Sequence, residues 1–149
     1  PPKSMLLPYP HRIVRKDETT ILIERDMMPV ARVVHLDRNY PMGAPSPMGH
    51  SVGWFEGDEL VVETSNFIAD AWGTHTGVDS SAQKHLLERF SLFNGGLGLK
   101  AEITVTDPVY LSEPKTFNHY WAKLADRELV QAPCTLESSR LWIEGGYIQ

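Results

Sequence analysis

The residues best suited to chemistry are two histidines and a neighbouring carboxylate and guanidinium. His50 lies in the glycine-flanked stretch 49–53 (GHSVG), and His85 opens the run 85–92 (HLLERFSL), which also carries Glu88 and Arg89. Imidazole titrates near neutral pH, so either histidine can take or give a proton in general acid–base catalysis. Glu88 would orient or share that proton, and Arg89 would hold an anionic group. The competing reading is structural. His50 then bonds a loop, and Glu88 with Arg89 forms an ion pair, because perturbed groups serve structure as well as catalysis.

Other chemistries are weaker. His50, His85 and Glu88, joined by His75 or His119, offer nitrogen and oxygen ligands for zinc, copper or iron. No HxH, HxxxH or HExxH spacing supports such a site, and dispersed histidines explain the pattern as well. No cofactor is therefore expected. Gly49-His50-Ser51-Val52-Gly53 matches the letters of a nucleophile elbow, G-x-S-x-G. The elbow needs a strand before it and a helix after it, whereas here a proline-rich loop precedes and a strand follows. Cys134 has no CxxC partner and reads as a structural thiol. Trp54, Trp72, His119 and Trp121 are candidate ligand-binding residues, able to line a pocket for a flat apolar molecule. Ordinary core packing is the alternative for each.

The elements that must position these groups read as short strands. Segments 11–16, 20–24 and 30–36 are strand-like with turn signals between them, and 37–48 (DRNYPMGAPSPM) is loop. Within 49–67, Val52 to Phe55 and Leu60 to Val62 flank a two-residue turn at Gly57-Asp58, forming a hairpin. That turn makes Trp54 face Val61, Phe55 face Leu60 and His50 face Ser65. One face then holds Ser51, Gly53, Phe55, Leu60, Val62 and Thr64 and reads as packed; the other holds His50, Val52, Trp54 and three glutamates.

The run 85–92 fits a short helix or a strand, and the glycines after Asn94 favour the strand. As a strand it sets Glu88 among Leu86, Phe90 and Leu92, where an unpaired carboxylate is costly, so Glu88 must be paired or readily protonated. Further strands follow at 99–106, 117–124, 128–131 and 140–143. Parity places Phe117, His119, Trp121 and Lys123 on one face, a mixture suited to a pocket wall or an interface.

At the hairpin the pattern Gly49-His50-Ser51-x-Gly53-x-x-Glu56-Gly57-Asp58-x-Leu60-Val61-Val62-x-Thr64-x-x-Phe67 resembles a large family of uncharacterised bacterial proteins that usually carry secretion signals. The likeness continues through His85-x-x-Glu88-Arg89-Phe90, Thr104-x-x-Asp107-Pro108 and Cys134. The resemblance implies a periplasmic or secreted protein and brings no activity with it. Relatives often read Pro-His-Ser-Glu where this chain has Asp79-Ser80-Ser81-Ala82, so a histidine and a carboxylate common there are missing. The family also tends to carry an upstream cysteine that would pair with the counterpart of Cys134, consistent with an oxidising compartment. A lone cysteine by itself suits a reducing one. The chain opens at Pro1 without a methionine, as a processed or trimmed product would, which leaves export open.

Composition narrows the partners. The chain has 149 residues, 42% of them hydrophobic and 22% charged, the profile of one globular domain with a sizeable core. A net charge of −5 and the lack of a basic run argue against nucleic acid, and no apolar stretch is long enough for membrane insertion as a helix. The expected architecture is all-β: an extended arm over 1–10, then a single domain over 11–149 forming an antiparallel barrel with a lipocalin-like interior. A β-sandwich is the alternative. Two functions fit. One is a cofactor-independent isomerase, cyclase or lyase acting on a small hydrophobic or aromatic compound. The other is a non-catalytic ligand-binding or self-assembling module, whose open strand edges would let copies form a homo-oligomer.

Overall fold

The computed structural model describes residues 5, 9–26, 28–124 and 128–129. Among these residues ten strands form in chain order: β1 (His11–Asp17), β2 (Thr20–Arg25), β3 (Met28–His35), β4 (His50–Glu56), β5 (Glu59–Ser65), β6 (Asp70–His75), β7 (Val78–Ser80), β8 (His85–Phe93), β9 (Gly98–Thr106) and β10 (Lys115–Ala122). Eight of them make one sheet in the order β1-β2-β3-β4-β5-β8-β9-β10, and β6 with β7 makes a separate hairpin. The fold is thus all-β, with a 3₁₀ turn at Asn94–Gly96 between β8 and β9. The ambiguous run after His85 is a strand. Its neighbours on both sides offer a full ladder of backbone partners, which local helix propensity cannot match.

Alternation builds one buried face. Ile21 and Ile23 of β2, Val34 of β3, Leu60 and Val62 of β5, Leu86 and Phe90 of β8, and Ala101, Ile103 and Val105 of β9 all point inward and form the core. Phe117 and Trp121 of β10 pack against it. The sheet curls around this face into a half-barrel. Its edge strands approach at one end, where the His11 and Trp121 rings lie 5.3 Å apart. Among the described residues these side chains pack the inner face. A cavity of about 20 Å³ against β1 to β3, lined in part by Met5, Ile23 and Arg32, has room for about one water.

Every neighbouring pair in the sheet is antiparallel except β3–β4, which is parallel. An antiparallel barrel throughout is therefore not what forms. The connection 36–49 is long enough to return to the same end of the sheet, as a parallel pair requires. It is pinned on the way: Ser46 bridges Phe67, the Ser46 amide donates to Asn66 O at 3.2 Å, and the Ile68 amide donates to Ser46 O at 3.1 Å. The hairpin of β4 and β5 forms with the expected register, Glu56 opposite Glu59 and Gly57 at φ 62°. Phe55, expected on the packed face, stands 52% exposed near the turn.

The β6–β7 hairpin is fastened to the sheet by buried polar groups. Lys84 Nζ donates to Ser80 Oγ at 2.9 Å and lies 4.3 Å from the Phe67 ring centre. Burial pushes the Lys84 ammonium down, opposed by the charges of Asp70 and Asp107. Asp107 accepts hydrogen bonds from the Ser81 amide and hydroxyl, both at 2.7 Å. Of the expected arm, Met5 is buried in the core, and the Pro10 carbonyl accepts from the Asp26 amide at 3.0 Å. Tyr9 is 41% exposed, and residues 128–129 of the strand expected at 128–131 are not in a strand; the remainder of the arm, residues 130–131, the strand expected at 140–143 and Cys134 lie outside the described residues.

Candidate functional site

The sheet separates the four candidate catalytic residues. Glu88 points inward, while Arg89, one position on, points outward. Glu88 is wholly buried, and its partner is Arg32 of β3, itself 3% exposed. Arg32 Nη1 donates to Glu88 Oε1 at 3.0 Å, and Nη2 donates to Glu88 Oε2 and, at 2.7 Å, to Thr64 Oγ1. Arg32 Nε donates to Ser51 Oγ at 3.1 Å, and the two hydroxyls lie 2.9 Å apart. Four strands thus contribute one side chain each to a closed polar network in an apolar interior. Ser51, the serine of the elbow-like letters, is consumed by it.

Across the sheet, the other candidates are also engaged. Arg89 Nη1 donates to Glu56 Oε2 at 2.8 Å and to Glu59 Oε2 at 2.7 Å. Hydrogen bonds from Arg89 and from Trp54 Nε1 hold the Glu56 carboxyl below its usual range. Arg38 lies over the Trp54 ring at 4.1 Å. His85 Nε2 is 2.7 Å from Glu63 Oε1. His50 faces Ser65 in register, and Thr64 faces Leu86, so His50 and His85 stand at the same rim with β5 between them. Two strand spacings put their backbones about 10 Å apart. Glu88 cannot join them on that face, so the weak metal site of His50, His85 and Glu88 is not assembled. Among the described residues no group of three or more His, Cys, Asp or Glu side chains is placed to hold a metal ion.

The candidate ligand-binding residues do not share a cavity. Trp54 is on the outer face, capped by Arg38. Trp72 is 53% exposed on β6 with φ 57°, its amide donating to Asp79 Oδ1 at 2.9 Å. His119 and Trp121 are on the inner face of β10 with ring centres 4.5 Å apart, close to His11.

Of the predicted set, His50 opens onto a sizeable cavity. It is about 540 Å³ in volume and is lined by His35, Tyr40, Pro41, Gly43, Ala44, Gly49 and His50. The last residue of β3 supplies His35, the first of β4 supplies His50, and the connection between them supplies the rest. The Tyr40 ring stacks on His35 with centres 3.5 Å apart and planes 7° from parallel. His50 lies 5.6 Å from His35 and 6.1 Å from Tyr40, again nearly parallel to both. Burial, and then the charge of His50, push the His35 imidazole below its ordinary value of 6.5. Gly49 must be glycine: at φ 70° an added Cβ would lie 2.6 Å from Ser65 O and 2.7 Å from the Phe67 ring. The wall is further anchored where Asn66 Nδ2 donates to Gly43 O at 2.9 Å.

Arg32, His35 and Tyr40 were not signalled by sequence. Arg32 shares strand parity with Val30 and Val34, as Glu88 does with Leu86 and Phe90, but Ala31 and Val33 make both faces of that strand look apolar. His35 ends the strand, and Tyr40 sits in a loop with no periodicity. The chain matches no protein-family model, no curated protein and no solved structure.

Proposed function

We propose that this chain is a ligand-binding β-domain that holds a small planar molecule in the pocket of His35, Tyr40 and His50. The observation that carries this is the convergence of two imidazoles and a phenol on one open cavity of about 540 Å³. Among the described residues these three side chains make ring contacts with one another and no hydrogen bond. The stack of nearly parallel rings offers a flat outer face, and their nitrogens and hydroxyl offer polar anchors at its edge, the usual composition of a small-molecule site. The packed interior argues against a lipocalin-like internal cavity as the seat.

The test is a titration with bicyclic heteroaromatic compounds, followed through the histidine ring resonances. His35 and His50 are expected to shift while His85, His11 and His119 do not, and His50→Ala should weaken binding about tenfold. Shifts confined to other histidines, or none at all, would sink the proposal.

A second reading keeps the same pocket for proton transfer, with His50 acting on a bound aromatic substrate as a cofactor-independent isomerase or lyase would require. The lowered His35 favours it, because it sets a neutral imidazole, a competent base, beside His50 in the same pocket. Glu88 has no part in that chemistry, and Arg89 is held by two glutamates. Location outside the cytoplasm rests on the resemblance to exported bacterial proteins, and self-association rests on the two sheet edges at β1 and β10.

A further inference from the structure

The pocket's charge inventory goes beyond a flat wall. Its lining carries two bases and a phenol but no carboxylate. The ionisable groups on the surrounding elements are Asp37 and Arg38 from the connection, Glu63 from β5 and His85 from β8. Asp37 Oδ1 accepts the Asn39 amide at 2.9 Å, Arg38 is drawn over Trp54, and Glu63 is occupied by His85. The acids are thus turned to other partners. Two imidazoles 5.6 Å apart repel one another once both are protonated. An anion seated at the ring edges offsets that repulsion through charge-assisted hydrogen bonds.

We propose that the His35–Tyr40–His50 pocket selects planar aromatic carboxylates over neutral compounds of the same shape, and that it takes up a proton as it binds them. This rests on the pocket being a ligand site, as argued above. The carboxylate accepts hydrogen bonds from imidazolium N–H groups, and the aromatic plane lies against the outer face of the Tyr40–His35 stack. Binding therefore strengthens as pH falls toward the imidazole range, provided it stays above the carboxylate's own pKa.

The experiment compares quinoline-2-carboxylate with its neutral isostere quinoline-2-carboxamide, by calorimetry on the intact chain at about pH 5.5 and about pH 7.5. The carboxylate is expected to bind about tenfold more tightly at the lower pH, with proton uptake revealed by two buffers of different ionisation enthalpy. The carboxamide should show no pH dependence. His35→Asn or His50→Asn should each weaken the pH dependence and the double variant remove it, and the wild-type comparison stands even if those variants fail to fold. If the carboxamide shifts His35 and His50 but the carboxylate binds no more tightly, the selectivity is wrong and the binding site stands. If the carboxylate binds equally at both pH values, the proton linkage is wrong. If neither compound perturbs the two rings, the inference and the binding site fall together.

Discussion

On the inner face of the sheet, Glu88 meets Arg32 inside a ring of hydroxyls with no solvent contact; on the outer face, one residue along, Arg89 spans Glu56 and Glu59 in water. Both are carboxylate–guanidinium pairs, yet they have opposite consequences. Moving two ions into a low-dielectric interior costs several kcal/mol each before their attraction returns it. The inner pair therefore tolerates no missing partner. Arg32 meets that demand by donating to Glu88, Thr64 and Ser51 at once. The outer pair gives up little hydration and gains little, being screened by salt and solvent.

The difference also separates structure from chemistry. A carboxylate locked between four strands has no room to exchange partners, whereas the rim histidines His35 and His50 stand where a ligand can reach them. Because side chains alternate, a one-residue slip of β3 or β8 would turn Arg32 or Glu88 out and bury a different neighbour. We read the inner pair as a register pin for the strands that present the pocket; a double substitution that stayed uniquely folded would refute this.

The largest effect should come from breaking the inner pair on one side. Glu88→Ala or Arg32→Ala is expected to cost about 3–5 kcal/mol in denaturant unfolding, since each leaves an uncompensated buried charge. Replacing both, Arg32→Met with Glu88→Leu, should recover most of that stability but leave the strand register unfixed, seen as doubled amide resonances for β3 and β8. If the single variants cost no more than a surface change, the contrast between the two faces collapses.

An intermediate effect is expected at Asp107, which is buried but hydrogen-bonded to backbone and hydroxyl. Burial would raise its carboxyl, but hydrogen bonds from Ser81 and Val109 outweigh that and hold it below the ordinary 3.8. Its stabilisation is thus complete above the ordinary value and lost as pH falls through the lower folded value. Asp107→Ala should cost about 2 kcal/mol at neutral pH and flatten the acid limb of the stability curve. An unchanged acid limb would show that the Ser81 clasp contributes nothing.

The smallest effect should be at Arg89→Ala, which is expected to leave the denaturation midpoint within experimental scatter. A clear drop would mean that the Glu56–Arg89–Glu59 bridge holds β4, β5 and β8 together, and that the outer face is not merely solvated surface.

Much of the fold was legible because it depends on local rules. The Gly57 turn dictates the hairpin register, and period-two alternation dictates which residues of β5, β8 and β9 enter the core. Alternation even showed that Glu88 needed a partner. It could not show which one, because Arg32 lies 56 positions away and is brought alongside by the order of strands. The pocket was half legible: His50 stood out in its motif, while His35 and Tyr40 join it only through the parallel return of the connection.

The chain by itself determined an all-β sheet, the two faces of each strand, and a carboxylate that must be compensated. Those follow from backbone geometry and from the cost of burying charge, both of which act over a few residues. Tertiary structure alone decided that β3 runs parallel to β4, that Glu88 meets Arg32, and that His35 and His50 open onto one cavity. Those outcomes depend on which distant strands meet, and strand pairing is settled by the sum of packing over the whole sheet.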